Sequence, residues 1–106
     1  METLRYDFLV IGSGLAGLTF ALRASALGTV CVLTKDEVTE SNTRYAQGGI
    51  AAAVGEADSW ALHEADTLTA GAGLCNPDAV RFLVQRAPEA IDWLIHLGTR
   101  FGQEQD

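Results

Sequence analysis

Basic residues are scarce in this sequence. Only 7 Lys and Arg stand against 14 Asp and Glu, and the net charge of −7 disfavours nonspecific binding to nucleic acid or to an anionic membrane. Cysteine is equally sparse. Cys31 and Cys75 form no CxxC pair and no disulfide framework, and Cys31 falls in a predicted buried strand, where a thiol behaves as a small hydrophobe. The two histidines, His63 and His96, have no second ligand at metal spacing, so no metal site is predicted. No apolar run approaches the ~18 residues of a membrane helix. The start Met1-Glu2-Thr3-Leu4-Arg5 lacks the basic segment and apolar core of a secretory signal, and a cytoplasmic, reducing location is expected. Repeats, low-complexity tracts and linkers are missing too, so the 106 residues are read as at most one domain, without an internal boundary.

What the sequence does contain is apolar, punctuated by glycine. Hydrophobic residues make up 48%, as expected of a chain built to be buried. The run from Phe8 to Ile11 is apolar on both alternations, as a parallel strand covered on both faces must be. Gly12, Gly14 and Gly17 follow at G-x-G-x-x-G spacing. In a dinucleotide site Gly12 would allow the sharp turn, Gly14 would let a pyrophosphate approach the backbone, and Gly17 would let the helix pack closely on the strand. The next residues, with Leu18, Ala21, Leu22, Ala24 and Ser25 at helical spacing, predict a helix that Gly28 caps. Its N-terminus would aim backbone N–H groups at the phosphates. Val30-Cys31-Val32-Leu33 then reads as a second strand, completing a β–α–β unit. Glycine spacing by itself is weak evidence, because Gly-rich turns also serve as plain connectors; strand, turn, helix and strand in order make it specific.

An acidic residue about 20 positions past the glycines commonly holds the ribose hydroxyls. Here the second strand ends Leu33-Thr34-Lys35 before Asp36 and Glu37 are reached. Either Asp36 substitutes from further along, or Thr34 and Lys35 hold the adenosine half by hydroxyl and charge. The polar stretch 36–44 would pass for a surface loop, but Tyr45-Ala46-Gln47-Gly48-Gly49-Ile50 follows it, with alanines at 51–53. Adjacent glycines and minimal side chains permit close approach of backbone to something flat, or form a tight turn into a small-residue strand. Asp58 or Ser59 caps a predicted helix through Leu68, with Trp60, Leu62, Ala65 and Leu68 as core contacts. His63, Asp66 and Thr67 on it could form a proton relay; a structural hydrogen-bond cluster is the preferred reading. Gly71 and Gly73 end this helix, and Asn76-Pro77-Asp78 starts another with a stripe of Ala79, Val80, Leu83 and Val84. Pro88 predicts a fresh helix start, with Ala90, Ile91, Leu94, Ile95 and Leu97 in register up to Gly98.

Taken together, the stretches 10–18, 32–35 and 41–52, with Asp58-Ser59, His63 and Asp66-Thr67, resemble the L-aspartate oxidase branch of the succinate dehydrogenase/fumarate reductase flavoprotein family. The Ala46-Gln47-Gly48-Gly49-Ile50 segment is much more specific than the glycine fingerprint. The resemblance implies an α/β fold: the N-terminal part of a Rossmann-like FAD-binding domain, a βαβ unit followed by a flavin-contacting loop and helices. It implies FAD as cofactor, with Gly12, Ser13, Gly14, Leu15, Ala16 and Gly17 at the pyrophosphate and Lys35 on the adenosine side. Asn42, Thr43, Arg44, Tyr45, Ala46, Gln47, Gly48 and Gly49 would wrap the flavin end. Asn42 stands where the respiratory flavoproteins carry a His bonded covalently to FAD, so noncovalent FAD is implied. The stretch 70–76 resembles the aspartate oxidase form of its loop.

The implied reaction is oxidation of L-aspartate to iminoaspartate, with hydride passing to flavin N5, oxygen or fumarate as acceptor, and iminoaspartate handed to quinolinate synthase in NAD synthesis. The resemblance places no catalytic residue in these 106 residues; the substrate-binding Arg and His groups of the family lie downstream. The chain is expected to be an N-terminal portion of the FAD-binding domain, without the capping domain and the C-terminal part. Alone, it would leave apolar strand surface uncovered, bind FAD weakly or not at all and tend to aggregate. The runner-up is a flavoprotein of the fumarate reductase or succinate dehydrogenase type, and a truncated, non-enzymatic remnant is the reading from a different class.

Overall fold

The computed structural model describes residues 1–45 and 49–102. It divides into two compact units, Met1–Gly48 and Gly49–Asp106.

The first unit is built on β1 (Phe8–Ile11), α1 (Leu15–Ala24), β2 (Val30–Leu33) and the short α2 (Asn42–Tyr45). The strands pair in parallel, with Phe8 opposite Val30 and Ile11 opposite Leu33, and α1 packs on both. The helix approaches through its small residues. Gly17, Ala21 and Ala24 lie on its protected side, while Leu18 and Leu22 remain exposed. A helix seated that close to a strand has room only for small side chains. On the strand side Val10 is buried and the Phe8 ring meets Phe20 edge to face at 6.3 Å. Leu9, Ile11 and Leu33 stay more than half exposed, so this two-stranded sheet presents apolar surface that α1 does not cover.

Gly28 differs from the expected helix cap. α1 ends at Ala24 with Ser25 as its C-cap, and residues 25–27 form a turn. The need for glycine at position 28 comes from Asp7, whose carboxylate would lie 2.6 Å from a Cβ there. Asp7 Oδ2 accepts from the Thr29 amide and the Thr29 hydroxyl, both at 2.8 Å. These bonds stabilise the charged carboxylate and hold its pKa below the ordinary 3.8. The clip joins the chain at the starts of both strands.

The second unit contains α3 (Trp60–Ala70) and α4 (Pro77–His96), packed on each other. Ser59 caps α3 by accepting from the Leu62 amide at 3.2 Å. Asn76 caps α4 by accepting from Asp78 and Ala79 at 3.0 and 3.1 Å, with Pro77 in the first turn. At the other end Thr99 donates to Leu94 and Gly98 to Ile95, with Gly98 at φ 98°. That is the paired closure of a Schellman motif.

Several expectations fail in this unit, and Ala79 and Leu83 of the predicted stripe on α4 are exposed. Pro88 does not begin a new helix; α4 runs through it as one element of 20 residues. Val80, Val84, Ala87, Pro88, Ile91 and Leu94 are all protected, a stripe at helical spacing that crosses the proline, so packing on α3 outweighs the hydrogen bond that Pro88 cannot donate. Val84 at its centre is fully buried, which is worth about 1.5–3 kcal/mol. Of the predicted apolar face of α3 only Leu68 holds. Trp60, Leu62 and Ala65 are exposed, and the protected residues are His63, Glu64, Thr67 and Leu68. The buried carboxylate of Glu64 explains this, because Arg81 of α4 donates to it at 2.9 Å. Residues 49–54 form neither helix nor strand, so no small-residue strand follows the two glycines.

Candidate functional site

Where β1 ends, the chain turns at Gly12 with φ 105°, a conformation that costs a residue bearing a Cβ about 1–2 kcal/mol. The Gly12 amide donates to the Leu33 carbonyl at 2.8 Å, so the turn starts while tied to the end of β2. Ser13 is buried, and its hydroxyl donates to Thr34 Oγ1 at 3.4 Å. Gly14 is the N-cap of α1 in extended conformation and supplies no capping side chain. A Cβ on Gly17 would overlap the Gly12 carbonyl and come within 3.4 Å of Val10 Cγ1. The third glycine thus lets α1 sit directly on the turn.

This turn lies at the carboxyl ends of two parallel strands, where open α/β sheets bind ligands. A cleft of about 560 Å³ opens there. Ile11, Gly12, Ser13 and Gly14 form one wall, Leu33, Thr34, Lys35 and Asp36 a second, and Glu40, Ser41, Thr43 and Tyr45 a third. The intrahelical ladder of α1 begins with Leu18 N–H donating to Gly14 at 3.0 Å. The amides of Leu15, Ala16 and Gly17 therefore have no carbonyl partner within the helix, and they carry the positive end of its dipole. An anion is the natural ligand of such a turn. Of these the Leu15 amide donates to Thr43 Oγ1 at 3.1 Å.

Thr43 belongs to α2, and α2 is braced from Glu40. The Glu40 carboxylate pairs with Arg44 and accepts the Tyr45 hydroxyl at 2.6 Å. That hydrogen bond to a carboxylate raises the Tyr45 pKa above 10.0. Beside this, Ser13, Leu15, Leu18, Val38, Thr39, Ser41, Thr43 and Arg44 line a second hollow of about 600 Å³.

The structure therefore brings together Gly12, Ser13, Gly14, Lys35, Thr43 and Tyr45 around one cleft, with Leu15 and Arg44 at the adjoining hollow. Ala16 and Gly17 sit in the first turn of α1, behind the turn's amides. Asn42 opens α2. Ala46, Gln47 and Gly48 lie outside the described residues, and Gly49 is an exposed coil residue of the second unit. Lys35 and Asp36 both reach the cleft, so its walls offer a cation and a carboxylate side by side. Sequence reading missed Glu40. The available signal was its i, i+4 spacing to Arg44. The relay considered for α3 does not form: the Thr67 hydroxyl donates to the His63 carbonyl at 2.7 Å, Asp66 is exposed, and His63 Nδ1 is buried without a hydrogen-bond partner among the described residues. Among the described residues, no cluster of three His, Cys, Asp or Glu could hold a metal and no helix is long and apolar enough to cross a membrane.

Comparison with known proteins agrees with the geometry. A family model described as an FAD binding domain matches residues 7–106. The chain is 50% identical over 105 residues to the chloroplastic L-aspartate oxidase of Arabidopsis thaliana, covering 99% of this chain and 16% of that protein. It is 51% identical over 100 residues to the L-aspartate oxidase of Vibrio cholerae, covering 94% and 19%. Among solved structures, a variant of the E. coli quinol fumarate reductase FrdA superposes with a TM-score of 0.90 at 30% identity, over 98% of this chain and 18% of that one. The Mycobacterium smegmatis Sdh1 complex in the apo form gives 0.85 at 36% identity, over 94% and 18%. The chain thus spans less than a fifth of the length of each of these relatives.

Proposed function

The chain belongs to the FAD binding domain family, and from that premise we propose that it is the phosphate-binding end of the flavin site in an L-aspartate oxidase. FAD is the cofactor, and the residues fit it. The positive-φ turn at Gly12, the first amides of α1, which have no carbonyl partner within the helix, and the hydroxyls of Ser13 and Thr43 suit a pyrophosphate. Lys35 at the end of the second wall supplies a cation for the adenosine side. Bound flavin would supply the hydride acceptor for oxidation of L-aspartate to iminoaspartate, with oxygen or fumarate taking the electrons and quinolinate synthase receiving the product. Asn42 cannot form the covalent link of the respiratory enzymes, so FAD is held noncovalently. A cytoplasmic location belongs to the same reading.

The observation that carries the choice of enzyme is identity. The aspartate oxidases match at 50% and 51%, whereas the fumarate reductase and Sdh1 structures match at 30% and 36%. The high TM-scores of those two keep a C4-dicarboxylate flavoprotein as the second reading. Full-length protein is assayed with L-aspartate and, separately, with succinate and fumarate. Flavin reduction by aspartate supports the proposal; turnover of the dicarboxylates without aspartate oxidation refutes it. Flavin released by acid precipitation would confirm noncovalent binding, and flavin retained in the pellet would refute that part.

A further inference from the structure

A cleft that takes a diphosphate is expected to carry positive charge, yet the side chains lining this one carry an excess of negative. Among the described residues its charged walls are Lys35, Asp36 and Glu40, two carboxylates against one ammonium. Arg44 restores the balance from outside: it lines the adjoining hollow, and its guanidinium pairs with Glu40, which lines the cleft itself. We propose that Arg44 serves the cofactor indirectly, as the charge mask of Glu40, so that removing Arg44 weakens FAD binding by unveiling that carboxylate and not by loss of a contact with the phosphates. The inference rests on the reading of this cleft as the pyrophosphate site.

Glu40 precedes Arg44 by four residues, the order and spacing at which an acid and a base pair best along a helical turn. The Arg44 guanidinium also lies over the Tyr45 ring, 5.8 Å from its centre. From that ring the hydroxyl donates to the other oxygen of the same carboxylate at 2.6 Å. One oxygen of Glu40 thus meets a cation and the other a phenol, and the raised pKa of Tyr45 comes from that second bond. The Glu40 side chain is 30% exposed and that of Arg44 54%, so solvent screens the pair and it adds little to folding stability. A diphosphate in the same cleft would feel the carboxylate directly, and there the state of the pair is read as affinity.

The test is flavin fluorescence titration of full-length apoprotein at low and high salt, for wild type, Arg44→Met, Arg44→Lys, Glu40→Gln and the double variant Arg44→Met/Glu40→Gln. At low salt Arg44→Met should bind FAD about three- to tenfold more weakly, the scale of one partly screened carboxylate acting on a diphosphate. That difference should shrink as salt rises, and Arg44→Lys, which keeps the charge, should stay close to wild type. Glu40→Gln keeps an acceptor for the Tyr45 hydroxyl and should bind at least as tightly as wild type. The double variant should recover to within about twofold of wild type, a rescue that misfolding of Arg44→Met would not allow. A double variant as weak as Arg44→Met would give Arg44 a direct contact with FAD and overturn the mask. Weaker binding by Glu40→Gln would make its carboxylate a ligand, and wild-type affinity in Arg44→Met would leave nothing to mask; either result overturns the proposal, as does a loss in Arg44→Met that salt does not change. Failure of the functional reading shows separately in the wild-type titration, where absence of FAD binding refutes the pyrophosphate site itself.

Discussion

Replacing Gly17 with alanine sets a steric penalty against a conformational gain, and both can be sized. The added Cβ would overlap the Gly12 carbonyl and approach Val10 Cγ1 at 3.4 Å. The obstacle is backbone, which cannot rotate away as a side-chain end can, so the cost belongs at the upper end of the overpacking range, about 3 kcal/mol. Against it stands the helix propensity of alanine over glycine, about 1 kcal/mol. The net loss is about 2 kcal/mol, a factor of about 30 in the folding equilibrium. The other two fingerprint glycines serve as controls with different physics. Gly12 has open space around its Cβ position but φ 105°, so Gly12→Ala loses about 1–2 kcal/mol through backbone strain alone. Gly14 has φ −72°, which alanine accepts, and its Cβ would meet only Thr43 Oγ1 at 3.3 Å. Gly14→Ala should cost less than about 1 kcal/mol in apoprotein and show its main effect in flavin affinity. Urea denaturation of full-length apoprotein gives the ranking, and flavin fluorescence titration gives the affinities. Gly17→Ala as stable as Gly14→Ala would refute the close seating of α1 on the turn.

Other outcomes follow from the same contacts. Asp7 has a lowered pKa through its bonds to Thr29, so the clip stabilises the fold above the ordinary carboxylate value and is lost as pH falls through the folded one. Asp7→Asn should flatten that acid limb of a stability–pH curve, and an unchanged limb would remove the clip from the account. Arg81→Met leaves the buried Glu64 carboxylate without its donor and should destabilise by about 1–3 kcal/mol; a double-mutant cycle with Glu64→Gln should recover part of that loss. Lys35→Met should weaken FAD binding about tenfold, the scale of one charge-assisted hydrogen bond, and equal affinity of wild type at low and high salt would argue against a phosphate contact.

The first unit was legible because its signals are local. Phe8 to Ile11 is apolar on both alternations, the glycines have fixed spacing, and Val30 to Leu33 follows at once. The caps at Ser59, Asn76 and Gly98 were legible for the same reason, since they act within their own turns, whereas Gly28 answers to Asp7 and not to α1. What could not be read depends on partners distant in sequence. The spacing of Leu18, Ala21, Leu22, Ala24 and Ser25 marked a helix without saying which of them face the strands, and the close approach selects Ala21 and Ala24 beside Gly17. Glu64 looks like surface until Arg81 lies opposite it. Pro88 reads as a start because the loss of its donor is a local matter, whereas the stripe from Val80 to Leu94 that keeps α4 continuous is a property of the α3 contact. The cleft was legible through its glycines and Lys35, while the roles of Thr43 and Glu40 emerge only once α2 faces the turn.

The exposed side chains of Leu9, Ile11 and Leu33 also set a clock. On the proposed reading, β1 and β2 leave the ribosome early and must wait for whatever covers them. At about 5–20 residues per second, every further hundred residues of synthesis prolong that wait by roughly 5–20 s. For such a nascent chain, the hazard lies in the interval between making the first strands and closing the sheet. Chaperone capture during that interval, rather than final stability, would then decide the yield of native enzyme.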